Sequence, residues 1–167
     1  SFWSVMVTIA LAYGLASSDR LKSFSNNYAL WDDAVRKLPH ERAMGSARTY
    51  SNRGAWNIKR GAFQEAIEDT THALLVDPRY KDAYQNRAWA YVKLGKHEMA
   101  LRDANTLVHL YPQDSKVYTV RAGIYRNMGN LELALADYKY ACQQKSREAC
   151  VAQTITSRLK KDGRPSP

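Results

Sequence analysis

Apolar residues recur along much of this chain at intervals of three and four positions, the spacing that gathers them on one face of a helix. Few stretches alternate apolar and polar residues in the way that strands do. One stripe precedes Pro39, which ends a helix, and consists of Leu30, Trp31, Ala34, Val35 and Leu38. A second predicts a final helix over 149–160 and consists of Ala149, Ala152, Ile155 and Leu159. The pattern predicts an all-α chain.

A period of 34 residues organises the middle of the chain, where units 47–80, 81–114 and 115–148 align without a gap. Pro78 and Pro112 close the first two units, and Ser146 replaces the third proline. Several residues coincide in all three units, among them Tyr50, Tyr84 and Tyr118; Arg53, Arg87 and Arg121; Gly61, Gly95 and Gly129; Ala66, Ala100 and Ala134. Each unit is therefore expected to be one helical hairpin.

The recurring residues have mechanical roles that follow from their size and backbone preferences. Glycine adopts a left-handed conformation readily, so the three recurring glycines are expected where the first helix of each unit ends. Proline cannot continue a helix and therefore ends the second. Small residues at Gly54, Ala88 and Ala122 let the two helices approach closely. The recurring arginines are expected to be structural and to span adjacent helices.

This pattern resembles the tetratricopeptide repeat family, whose motif carries aromatic, small, alanine and proline residues at these spacings. The resemblance covers residues 47–148 and implies a right-handed superhelical α-solenoid of three hairpins. Residues 19–46 then form a linker and a half-repeat helix, and 149–160 form a capping helix. The remaining residues, 161–167, are expected to be a disordered tail.

In this family the first helices line a concave channel, so the resemblance implies a groove for a protein or peptide. Carried over position by position, the groove residues are Arg48, Ser51, Ile58, Asp82, Gln85, Trp89, Val92, Lys116, Thr119 and Arg126, with Ala55 and Gly123 between them. Trp89 either anchors a ligand or packs between units. The Lys and Asn set that clamps a peptide carboxylate in some family members is missing.

Residues 1–18 carry no charge and are long enough, as a helix, to cross a hydrocarbon core. The favoured interpretation is a transmembrane helix, either a single anchor or the last helix of a larger membrane protein, which makes the lipid bilayer a partner. A signal-peptide core ending near Ala16 and an apolar helix packed on the array are the alternatives.

The segments "ALWDDAVRKLP" and "YSNRG", which follow the apolar stretch, resemble the C-terminal part of bacterial polytopic membrane proteins that carry tetratricopeptide repeats, some of them glycosyltransferase-like. This resemblance implies an inner-membrane protein with repeats in the periplasm. Arg20 and Lys22 favour the cytoplasmic side instead.

Cys142 and Cys150 would lie about 12 Å apart on one straight helix, too far for a disulfide. A turn near Lys145 would bring them together, and their spacing is similar to that of the bridged cysteines of Sel1-like repeats. A disulfide, which needs an oxidising compartment, and two buried thiols both remain open.

The net charge of +9 sits at the two ends of the chain. Lys and Arg outnumber Asp and Glu nine to three over 20–60 and six to two over 145–167, whereas 62–144 carries ten of each. A solenoid that binds nucleic acid should carry its charge along the array, so nucleic acid is disfavoured as a partner. Asp32, Asp33, Glu68 and Asp69 are expected to be solvated.

The sequence contains no phosphate-binding loop, nucleophile elbow or zinc pattern, and its four histidines lack metal-ligand spacing. No enzyme activity, cofactor or metal is therefore expected in this segment. Two functions remain: a membrane-anchored scaffold that binds protein or assembles a membrane complex, and the accessory C-terminal domain of a polytopic membrane enzyme.

Overall fold

The computed structural model describes residues 27–38 and 45–162. The described ranges contain eight helices: α1 (Asn27–Arg36), α2 (Ser46–Lys59), α3 (Phe63–Val76), α4 (Lys81–Lys93), α5 (His97–Leu110), α6 (Ser115–Asn127), α7 (Leu131–Gln143) and α8 (Arg147–Lys161). The all-α prediction is confirmed for this part of the chain. The predicted membrane helix over 1–18 and the tail beyond Asp162 lie outside the described residues. None of the eight described helices is both long enough and apolar enough to cross a membrane.

Consecutive helices pack in pairs, as the repeat period predicts. Within the three units, α2 packs on α3, α4 on α5 and α6 on α7, while α1 packs on α2 and α8 on α7. The first helices of neighbouring units also touch, α2 with α4 and α4 with α6. The first helices therefore form one continuous layer, which is the arrangement expected of a solenoid with a helix at each end.

The turn inside each unit depends on glycine. Gly61, Gly95 and Gly129 follow the first helices with φ of 81°, 70° and 78°, a left-handed conformation that side chains disfavour. The predicted role of these glycines is confirmed.

Close approach of the two helices within the first unit depends on Gly54. A Cβ atom at this position would lie 2.9 Å from Cγ2 of Thr70 and 3.3 Å from the carbonyl oxygen of Ala66. At the equivalent positions Ala88 and Ala122 are completely buried. The predicted need for a small residue is therefore confirmed, most strictly in the first unit.

An arginine on the first helix and an aspartate sixteen residues later on the second helix tie each unit together. In the second unit, Arg87 donates from Nε and Nη2 to the two carboxylate oxygens of Asp103, at 2.9 and 2.8 Å. The same forked contact joins Arg121 to Asp137 at 2.7 and 2.8 Å. It also joins Arg53 to Asp69 at 2.6 to 3.1 Å. Such charge-assisted pairs are among the strongest hydrogen bonds in proteins.

The same arginines also reach back to the preceding second helix. Nη1 of Arg53, Arg87 and Arg121 donates to Asp32, Thr71 and Asn105, respectively, over 3.0 to 3.1 Å. The predicted span between adjacent helices is thus observed three times. We call the set the arginine ladder; its members are Asp32, Arg53, Asp69, Thr71, Arg87, Asp103, Asn105, Arg121 and Asp137.

The expectation that Asp32 and Asp69 are solvated charges is wrong. Asp69 is only 3% exposed and accepts a further hydrogen bond, at 2.8 Å, from Nδ2 of Asn57. The side chain of Asp32 is 22% exposed and contacts Arg53. The hydrogen bonds from the Arg53 guanidinium replace hydration that a carboxylate loses on burial. Asp33 and Glu68 are exposed or half-exposed, as expected.

Tyrosine hydroxyls hold the turns between units. Tyr84 donates to the carbonyl oxygen of Pro78 at 3.1 Å, and Tyr118 donates to that of Pro112 at 3.0 Å. Since both prolines end their second helix, each turn has a fixed stop and a hydrogen bond to the next helix. The third turn has neither residue.

The third turn is held by Ser146 and by a disulfide. Oγ of Ser146 accepts a hydrogen bond from the backbone N–H of Ala149 and caps α8. The prediction that Ile155 faces inward is wrong: Ile155 is 47% exposed, whereas Thr156 is completely buried. Counted from the starts of α4 and α8, Thr156 is equivalent to Ala90, which is also completely buried. The inward positions of Ala149 and Ala152 agree with the prediction.

Removing one member of a ladder pair should destabilise the fold strongly. Asp103→Ala leaves the guanidinium of Arg87, whose side chain is only 18% exposed, without its carboxylate. We expect the free energy of unfolding, measured by urea denaturation, to fall by about 3 kcal/mol. The double variant Arg87→Leu/Asp103→Leu should regain much of this loss because it leaves no buried charge.

The control is Lys37→Ala, which breaks the exposed pair with Asp33 on α1. This change should cost no more than about 0.5 kcal/mol. If Asp103→Ala costs as little as the control, the ladder does not stabilise the array.

Candidate protein-binding groove

The structure brings four of the predicted groove residues together on the layer of first helices. Gln85 and Trp89 of α4 and Lys116 and Thr119 of α6 line one hollow of about 130 Å³. Val120 and Glu148 complete its lining. That this hollow is part of a binding groove remains a prediction.

Trp89 packs between two units and lines this hollow at the same time. A Cβ atom on Gly123 would lie 3.1 Å from Cη2 of Trp89, so the indole rests directly on the glycine of the next first helix. The Tyr138 hydroxyl lies near the same glycine, and burial raises the pKa of this hydroxyl above its usual value. Packing between units is therefore observed for Trp89, and its use as a ligand anchor remains a prediction.

Two predicted groove residues are closed off from any ligand. Ser51 is 1% exposed because α4 covers it, and Nδ2 of Asn86 donates to both its carbonyl and its hydroxyl oxygen at 3.3 Å. Val92 is 9% exposed and belongs to the central apolar core. Both assignments need correction, because the contact between α2 and α4 uses these positions for packing.

The other predicted positions differ in accessibility. Arg48 and Asp82 are exposed at the starts of α2 and α4, and Ile58 packs partly against the central core. Arg126 lines a second hollow, further along the array.

The second hollow lies between α6 and α8 and measures about 450 Å³. Its lining consists of Arg126, Arg147, Glu148, Val151, Ala152 and Ile155. Glu148 lines both hollows, so the groove continues from α4 to α8. We call the part between α6 and α8 the C-terminal slot.

The sequence-based assignment missed the C-terminal slot because it placed α8 two residues out of register. One residue of this difference arises because α7 has 13 residues, against 14 in α3 and in α5. The other arises because three residues separate α7 from α8, whereas four separate α3 from α4 and α5 from α6. Arg147, not Ala149, therefore corresponds to Lys81 and Ser115 at the starts of earlier first helices. In this register Val151 and Ile155 take groove positions. Two features of the sequence could have indicated this register: the absence of a proline from the third turn, and Ser146, a residue suited to cap a helix that begins at Arg147.

A disulfide joins Cys142 of α7 to Cys150 of α8, with 4.7 Å between the Cα atoms. The pairing is possible because the chain turns at residues 144–146, where Lys145 has a φ of 63°. The bond therefore fastens to the array the helix that supplies half of the C-terminal slot.

The arginines of the ladder are paired with carboxylates, whereas Arg126 and Arg147 of the groove are not paired with any carboxylate among the described residues. Hydrogen bonding to Asp137 raises the pKa of the Arg121 guanidinium above its usual value. Neither Arg126 nor Arg147 forms an ion pair within residues 27–38 and 45–162. The same ranges contain no group of three or more His, Cys, Asp and Glu side chains that could hold a metal ion.

The family model described as tetratricopeptide repeat matches residues 81–114 and 115–146. Residues 81–146 therefore contain two tetratricopeptide repeats. The second match ends at Ser146, in agreement with the shortened third turn and with the start of α8 at Arg147. No protein with a curated function is similar enough to match.

Solved structures of tetratricopeptide repeat proteins resemble the described fold. The first tetratricopeptide repeat domain of human RPAP3 is 28% identical, with a TM-score of 0.65 over 71% of this chain and 94% of that one. The first such domain of Spaghetti (RPAP3), solved with the HSP90 peptide SRMEEVD, is also 28% identical, with a TM-score of 0.61 over 69% and 93%. A repeat protein from Parabacteroides merdae is 26% identical, with a TM-score of 0.65 over 92% of this chain and 59% of its own.

Reduction of the disulfide is expected to loosen α8 while α4 stays folded. Closing a loop of this length corresponds to about 2.5 kcal/mol of stabilisation in the chain-entropy model. Amide hydrogen exchange in α8, measured by mass spectrometry, should therefore accelerate by about one to two orders of magnitude in reductant. Exchange in α4 is the internal control. Unchanged protection of α8 would show that packing alone holds it.

Proposed function

We propose that this chain is a scaffold that holds a protein or peptide partner in the groove from α4 to α8. The observation that carries the proposal is the pair of adjoining hollows on the layer of first helices. They share Glu148 and present Trp89, Val151 and Ile155 to a ligand. Grooves that combine an accessible aromatic residue with apolar floor and polar rim are typical of protein recognition.

The similarity to a peptide-bound domain supports the same function. The Spaghetti (RPAP3) domain was solved with a short peptide, and this chain shares its fold over most of that domain. The ladder joins the first helices to the second helices of their own and the preceding unit, so we expect the groove to need little rearrangement of its helices to bind. Preorganisation of this kind lowers the entropic cost of association.

The proposal extends to a membrane location, with residues 1–18 as an anchor in a bacterial inner membrane and the repeats on the periplasmic side. The uncharged sequence of residues 1–18 supports the anchor. The disulfide between Cys142 and Cys150 supports an oxidising compartment. Fractionation of the full chain tests the anchor: the protein should sediment with membranes and leave them only in detergent. Recovery in the soluble fraction would contradict anchoring.

Site-specific photo-cross-linking tests the scaffold function. A photoreactive amino acid replaces Thr119 inside the groove in one variant and Glu98, an exposed residue of α5 outside both hollows, in the control. In the source cells, the Thr119 variant should capture one partner protein that the Glu98 variant does not. Adding Trp89→Ala should reduce the yield by about tenfold or more, since a buried aromatic contact often dominates binding.

Equal capture at both positions, or no loss on removal of Trp89, would contradict binding in the groove. A thermal melt of each variant verifies that the array remains folded.

A further inference from the structure

In the helix α8, small side chains are buried and two larger aliphatic side chains are exposed, the reverse of the usual distribution. Its completely buried positions hold small residues, Ala149 and Thr156, whereas two of its three larger aliphatic side chains, Val151 and Ile155, are 56% and 47% exposed. Aliphatic side chains on a helix normally face the interior. Here Val151 and Ile155 instead form the floor of the C-terminal slot.

The two aliphatic residues form a continuous apolar surface. They are four positions apart and so lie about 6 Å apart along one helix face. Ala152 extends the surface towards α6. A cavity of about 450 Å³ above them has room for more than one apolar side chain.

The rim of the slot is predominantly positive. Arg126 lies on the α6 side and Arg147 at the start of α8, and Glu148 is the only carboxylate among the lining residues. Unlike the three ladder arginines, Arg126 and Arg147 have no carboxylate partner in the part of the chain that the structure describes. Lys116, in the adjoining hollow, adds another positive charge.

From this geometry we infer that the C-terminal slot binds an acidic peptide segment that inserts aliphatic side chains. Leucine-like side chains pack on Val151 and Ile155, and carboxylates on either side pair with Arg126 and Arg147. This inference rests on the proposed function, since it names the ligand chemistry of the same groove. The charge on the rim selects acidic over basic peptides, and the aliphatic floor offers no aromatic ring on which a nucleic-acid base could stack.

Methyl NMR with synthetic probes tests this inference on the full chain. The probe is a blocked peptide of sequence Glu-Asp-Leu-Leu-Asp-Glu. Two matched controls replace its acids with lysines or its leucines with serines. The methyl signals of Val151 and Ile155 should shift on titration with the probe, whereas the buried Ile67 and Ile124 should not respond. Both control peptides should bind at least about tenfold more weakly.

A charge variant provides the second measurement. The double variant Arg126→Gln/Arg147→Gln should bind the probe peptide about tenfold or more weakly than the unchanged protein. The matched variant Arg102→Gln/Lys139→Gln removes the same charge from exposed positions on α5 and α7 and should leave affinity unchanged. Equal binding of the lysine peptide, or equal affinity of the two variants, overturns the inference. Shifts at Val151 and Ile155 that depend on protein concentration without peptide identify a second copy as the occupant and also overturn it.

The cross-linking experiment separates the two levels of the proposal. If Thr119 captures a partner but the methyl signals of Val151 and Ile155 do not respond to the acidic probe, the groove binds protein but not through acidic and aliphatic side chains in the C-terminal slot. Loss of specific capture at Thr119 removes the scaffold function itself.

Discussion

The forked hydrogen bond between an arginine and the aspartate sixteen residues later is the interaction on which this structure depends. It joins the two helices of each unit, and the remaining Nη1 of the same guanidinium joins that unit to the one before. A leucine could fill the same space but could not bond two helices at once. The pairs are largely dehydrated, so each is favourable only while its geometry is intact. Repetition of one bond at a fixed spacing therefore sets the distance between helices along the array.

The groove is a consequence of that spacing. The second helices and the ladder supply most of the contacts within the array. The residues on the outer face of the first helices therefore differ in burial from one unit to the next. Ser51 and Val92 have become part of the contact between units, whereas Gln85, Trp89 and Thr119 line a cavity. At the end of the array the polar turn that replaces proline shortens the connection by one residue. The disulfide then fixes α8 so that Val151 and Ile155 enter the groove.

Features that recur with the repeat could be predicted from the sequence, because each has a local cause. The glycine turns and the small residue at Gly54 follow from steric limits at a single position. The role of Asp69 also had a signal in the sequence, since Asp69, Asp103 and Asp137 recur with the repeat, sixteen residues after the recurring arginines. It was missed because Glu68 and Asp69 were interpreted together as a pair of solvated acids. Val151 and Ile155 were missed for a different reason: their position depends on the length of one irregular turn, which a period of 34 residues hides. The pairing of Cys142 with Cys150 also depends on that turn, so spacing alone left it open.

Exchange of the arginine Nε–H protons, resolved by ¹H–¹⁵N NMR, tests the central claim most directly because it reports on each guanidinium separately. Arg53, Arg87 and Arg121 each donate from Nε to a carboxylate and are mostly buried. Their Nε–H signals should persist and exchange slowly with water, whereas those of Arg126, Arg147 and Arg158 should exchange fast. Fast exchange at Arg87 and Arg121 would contradict the ladder as the element that holds the repeats in register.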